Sequence, residues 1–324
     1  MTRRAIAALL ICLCHHLAQA GEGNYVKKWI WTKEEIKKIE ALEKEVKTEG
    51  GVSQIETENW LVSTELGARF TAETAVFMEI FYAVFKEIFD FQTGVEYPDK
   101  PKIVIFKSAE NYAKVGLPGS RGVFCFRKSD DKAELIICTY MPEGRLNNFS
   151  NCYHPVIQHE GTHCLLKKIV GSHYIPSWLT EGMATFYEYW DYRSQASPSG
   201  NRPQDVDARK KRLTLSKRKH YLRDSVREAG GKYPPLSYLL KLTTLKEWDV
   251  DNMGPRTRMH YALAESFADF IISDKEARKH LKTIFMRLTQ GEKELLTEEE
   301  IKFLEPRWHK HLRQMWGINA KSDT

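Results

Sequence analysis

The order of hydrophobic patterns along the chain predicts an α+β fold, with a small mixed sheet and helices in the N-terminal part and a helical lobe after it. Segments that read as strands all lie at or before Tyr140, and beyond that point apolar residues recur at helical spacing. Composition supports a folded domain: of 324 residues, 42% are apolar and 28% charged, enough to bury a sizeable core and unlike a disordered chain. No apolar run approaches the roughly 20 residues of a membrane-spanning helix, so a multi-span membrane protein is excluded.

The first segment is Arg3 and Arg4, an apolar run from Ala5 to Cys14, and small residues ending Ala18, Gln19, Ala20. This pattern predicts a cleavable signal peptide over residues 1–20, with cleavage after Ala20; an uncleaved N-terminal anchor is the alternative. A chain starting at Gly21 would be secreted or periplasmic, and its +6 balance falls to +4 because Arg3 and Arg4 leave with the leader. That charge is too small to argue for nucleic acid.

Thr32-x-x-Glu35 followed by Ile36, Ile39, Leu42 and Val46 predicts a capped amphipathic helix over Thr32 to Val46. Gln54 to Thr64 alternates as one strand, and Phe77, Phe81, Val84 and Ile88 mark the inner face of a helix over Phe70 to Phe89. Lys102 to Phe106 reads as a buried strand and Ser108 to Val115 as a short helix. Val123 to Arg127 and Glu134 to Thr139 then form a hairpin across a polar turn. Four cysteines follow the leader, and across that hairpin Cys125 to Cys138 is the most plausible disulfide in an exported chain; buried thiols are the alternative.

The second half begins with a helix that has Pro155 at its start and Gly171 just past its end. Another should run from about Trp178 to Tyr189, with three more around Met259 to Ile272, Ser273 to Leu288 and Thr297 to Met315. Ser273-x-x-Glu276 and Thr297-x-x-Glu300 supply capping boxes for the last two. The expected organisation is an N-terminal α+β part over 21–150 with a substrate-edge hairpin, and site helices with a helical lobe over 151–324, together one catalytic unit.

The chemistry concentrates in His159-Glu160-Gly161-Thr162-His163. Residues four apart share a helical face, so both imidazoles can meet one ion, while Glu160, one step round, reaches a water on that ion. The next helix presents Glu181 within Trp178-Leu179-Thr180-Glu181-Gly182. Two histidines and one carboxylate form an open zinc site with a fourth position for water. Gly182 would allow the two helices to approach closely, and Glu188, two turns on, suits the outward N–H of a ligating histidine. The preceding strand, Glu134 to Tyr140, is edge-like and suits an extended peptide added to the sheet. A zinc that only staples helices would need a closing ligand such as Cys164, Cys152 or His154.

His159-Glu-x-x-His163 followed by Trp178-Leu-x-Glu181-Gly-x-Ala184-x-x-x-Glu188 resembles the gluzincin metallopeptidases, and is most similar to the secreted bacterial peptidase MA-like group. The likeness extends loosely from Glu56 through Phe106, Tyr112 and Gly122 to Trp308. It implies one Zn²⁺ on His159, His163 and Glu181, Glu160 as general base, Glu188 supporting a ligand, and an aromatic or imidazole donor from a later helix. Tyr261 falls where that group has a tyrosine and would stabilise an oxyanion, with His260 as the fallback and a core tyrosine as the alternative. The strand by which aminopeptidases grip a free amino terminus is missing, which favours endopeptidase action. The interval from His163 to Glu181 is also slightly shorter than in thermolysin or aminopeptidase N. By this reading zinc acidifies its water towards a pKa of roughly 7 and Glu160 carries the proton to the leaving amine. Imidazole and carboxylate would also accept cobalt or manganese.

The expected partner is a peptide or protein substrate. Arg209 to Arg227 is strongly basic and could meet an acidic surface polymer, though a solvated helix or flap explains it as well. Tyr221 is its only aromatic residue, so no nucleic-acid partner is expected. Two rivals share these residues: a zinc amidase acting on a cell-wall or other non-peptide amide, and an inactive zincin fold that binds through 209–227. The sequence sets no oligomeric state.

Overall fold

A computed structural model describes residues 31–89, 100–115, 121–129, 132–140, 154–188, 218–248 and 254–318. The leader, its cleavage site, Cys152 and residues 209–217 of the basic segment lie outside them. The described residues form two compact units, one made of residues up to 83 with 100–164, the other of 84–89 with 165–318.

In the first unit, α1 (Lys33–Glu45) starts at the expected reciprocal cap, in which Thr32 Oγ1 accepts from the Glu35 N–H and Glu35 from the Thr32 N–H. Its Ile39 packs against Ala72 and Val76 of α2 (Ala68–Ile88). The single strand expected over Gln54 to Thr64 is instead two antiparallel strands, β2 (Val52–Glu56) and β3 (Leu61–Thr64), preceded by β1 (Lys47–Glu49). The reversal is fixed from α2: Glu79 accepts from the Thr57 hydroxyl at 2.5 Å, the Asn59 N–H at 2.8 Å and the Asn59 amide at 2.6 Å. Alternation alone does not reveal a turn held by a carboxylate twenty residues away.

β4 (Lys102–Phe106), α3 (Ala109–Ala113) with Ser108 as its cap, β5 (Gly122–Ser129) and β6 (Lys132–Tyr140) complete a six-stranded mixed sheet of order β1-β2-β3-β4-β6-β5. β3–β4 and β4–β6 pair parallel, and the others antiparallel. Period-two alternation places Val62, Ile103, Ile137 and Phe124 in one row across four strands, all buried. The opposite row, Val104, Cys138 and Val123, is covered by Tyr112 of α3.

The hairpin is as expected, with two corrections. β6 lies inside the sheet between β4 and β5, so among the described residues the edge on this side is β5, not the Glu134 to Tyr140 strand; β1 forms the other edge. Parallel pairing to β4 claims the side of β6 that a hairpin alone would leave open. Nor is Cys125 bridged to Cys138: both are thiols. Cys125 lies opposite Ile136 and Cys138 opposite Val123, so the two are diagonal neighbours. Diagonal positions stand about 7–8 Å apart, beyond the span of a disulfide.

α4 (His154–Val170) ends at Gly171, whose φ of 73° suits a residue without Cβ. In the second unit every residue of α5 (Ser177–Glu188) is buried. Its first two N–H groups donate to the carbonyls of Thr243 and Leu242, at the end of α7 (Leu236–Leu240). α6 (Arg218–Glu228), α8 (Leu245–Trp248), α9 (Pro255–Ser273), α10 (Ala277–Thr289) and α11 (Glu298–Gln314) form the rest. α11 has its expected Thr297/Glu300 capping box, and Trp308 donates to Ser266 Oγ of α9 at 3.1 Å. Among the described residues no helix is long and apolar enough to cross a membrane.

The cap expected from Ser273 and Glu276 is not made, because α9 continues through Ser273 and Asp274 takes over, accepting from the Glu276 and Ala277 N–H groups at 3.0 and 2.9 Å. Partial burial pushes the Asp274 carboxyl up, but those N–H groups and the Arg307 guanidinium outweigh it and hold it below the ordinary aspartate value. A depressed folded-state pKa contributes stability above the ordinary value and loses it as pH falls through the folded one. Asp274→Ala is therefore expected to destabilise the neutral protein by about 1 kcal/mol, and the gap between its melting curve and that of the parent should narrow in acid. A gap constant with pH would show that the cap acts without its charge.

Candidate metal centre

The candidate site is built on buried helix. His159, Glu160 and His163 on α4 are 1%, 0% and 2% exposed, although the helix carries polar residues through this stretch. Two small residues permit this. A Cβ on Gly161 would stand 3.1 Å from Met78 Cε and 3.2 Å from Phe81 Cε1, so the glycine inside the motif lets α4 lie tightly on α2. Thr162 returns its hydroxyl to the Gln158 carbonyl at 2.7 Å, which satisfies it inside the helix.

The α4 spacing brings the two imidazoles together as expected. Their Nε2 atoms are 3.1 Å apart and the rings meet edge to face at 4.8 Å. Two ligands of a tetrahedral zinc at about 2.05 Å would be separated by about 3.3 Å. One ligand atom each from His159, His163 and Glu181 lies within 4.8 Å of the others, and all three side chains are buried. These residues form a buried group that can hold one metal ion. The donor set fits such an ion: two neutral imidazoles and one carboxylate make an open three-ligand centre, and a cation offsets the cost of a carboxylate removed from water. Among the described residues no other cluster of this kind occurs, and Cys164, although adjacent to His163, is not part of it. Cys152 and the side chain of His154 lie outside the described residues.

Other residues singled out from the sequence have these surroundings. Glu188 accepts from Arg218 Nη2 at 2.7 Å, and Arg218 Nη1 is 3.7 Å from the buried Glu265. Tyr261 is buried, with the Trp248 ring edge-on at 5.0 Å and the Arg218 guanidinium 6.0 Å from its ring centre. His260 is engaged on both sides of its ring, Nδ1 with the Trp248 carbonyl and Nε2 with the Tyr238 hydroxyl, each at 2.7 Å. Gly182 does permit a close helix approach, but to α9: an added Cβ would lie 2.7 Å from the Ala264 carbonyl oxygen.

Sequence reasoning missed Arg218 as an individual residue, because it sits in a run of like charges. In the described part of that run the arginines have acidic neighbours. Arg218 is drawn to Glu188, while Arg223 and Arg227 lie 3.7 and 3.4 Å from Asp224. Compared with models of protein families and with curated proteins, the chain matches none.

Proposed function

We propose that the chain is an exported zinc-dependent metallohydrolase of gluzincin type, an endopeptidase with Glu160 as general base. The observation that carries this reading is the buried group of His159, His163 and Glu181, with Glu160 in the same turn of α4 as its first histidine. Zinc held there would supply a Lewis acid and an acidified water. Glu160 would take the proton of the attacking water and return it to the leaving amine, working at zero exposure where such a transfer is shielded from bulk solvent. Edge strand β5 would hold an extended peptide by main-chain pairing, and Tyr261 is proposed as the oxyanion donor.

The test is metal content and metal-dependent turnover of the chain beginning at Gly21. One zinc per chain is expected, with cleavage of a quenched peptide library that stops on chelation and returns with stoichiometric zinc. Chelation should also lower the melting temperature, because an ion bound only by the folded state stabilises it. Zinc without peptide turnover, but with hydrolysis of cell-wall or other non-peptide amides, would transfer the reading to an amidase. A chain that binds no metal would overturn it.

A further inference from the structure

Gly122 opens β5, and an added Cβ there would stand 2.8 Å from Val156 Cγ1, 3.0 Å from Glu160 Cγ and 3.2 Å from Glu160 Oε1. Its backbone does not require glycine, since Gly122 is not among the residues with positive φ. Space does. The strand cannot retreat, because Gly122 is paired with Thr139 of β6, and the buried Thr139 hydroxyl donates to the Arg121 carbonyl at 2.8 Å. Nor can α4 withdraw, because Gly161 already seats it against Met78 and Phe81. The Glu160 side chain is thus confined between a pinned strand and a pinned helix, and the most mobile atoms against Gly122 are those of its carboxylate.

We propose that Gly122 is a positioning residue whose missing side chain sets where the Glu160 carboxylate stands. The proposal rests on Glu160 being the base. A methyl at Gly122 would turn that carboxylate aside while leaving the imidazoles and Glu181 in place. A displacement of about 1 Å in a reacting group is enough to cost on the order of 100-fold in rate.

The experiment uses a Val156→Ala host, which removes the tightest contact and isolates that with Glu160. In this host Gly122→Ala is expected to lower kcat by 10- to 100-fold, with KM within about twofold and metal content unchanged. In the metal-free protein, Gly122→Ala should lower the melting temperature when Glu160 is present and by less than half as much when Glu160→Ala has opened the space. An unchanged kcat, or a melting penalty that is the same with and without Glu160, would overturn the proposal. A host and wild type with no turnover would defeat the hydrolase reading instead, and the melting cycle would still decide whether Gly122 sets the place of Glu160.

Discussion

Glu160→Gln is expected to abolish hydrolysis, by about 1,000-fold or more, while the protein keeps its metal. The side chains are nearly isosteric and Glu160 is not one of the three grouped ligands, so neither fold nor binding site is removed. What disappears is the ability to accept a proton, and a positioned general base contributes about 10² to 10⁴ in rate. His163→Ala makes the contrast, since it should lose metal and activity together. Elemental analysis beside single-turnover hydrolysis separates the two cases. Substantial turnover by Glu160→Gln at full metal occupancy would remove Glu160 from the mechanism.

The largest stability effect should come from Gly182→Ala. The new methyl would lie 2.7 Å from the Ala264 oxygen and 3.0 Å from its carbonyl carbon, and backbone atoms inside a helix cannot rotate aside. α5 cannot move away either, because all its residues are buried and its N-terminal amides are committed to Thr243 and Leu242. Overpacking of this kind costs about 3 kcal/mol, or roughly 6–12 °C in melting temperature for a unit of this size. Because Glu181 is the neighbouring residue, metal affinity should fall as well. A melting temperature within a degree or two of wild type would show that α5 and α9 can separate without cost.

The candidate site was more legible in the sequence than the sheet. His159 and His163 share a face because helical period alone dictates it, and Pro155 and Gly171 bracket the helix with local chemistry. Glu181 followed from its place on the next helix. Strand order was hidden, because which side of β6 is covered depends on β4, and the turn at Asn59 depends on Glu79 of α2. The same limit applies to Gly182, whose smallness was legible but not which helix it admits. Gly122 and Arg218 gave no local signal of their roles. One is defined by what would collide with it, and the other by the carboxylates that distant turns bring to it.

The sheet order also has a consequence for how the first unit assembles. β1–β2–β3 and β5–β6 are ribbons of sequence neighbours, which can zip by closing short loops. β4 joins them by parallel pairing, Lys102 to Ile105 with Leu61 to Thr64 on one side and Lys102 to Phe106 with Ile136 to Tyr140 on the other. Those parallel contacts close long loops and must wait for most of the unit to be synthesised and collapsed. β4, five residues long with Ile103 and Ile105 fully buried, is thus the kinetic keystone of the sheet: until it docks, the edge strand that carries Gly122 belongs to an isolated hairpin.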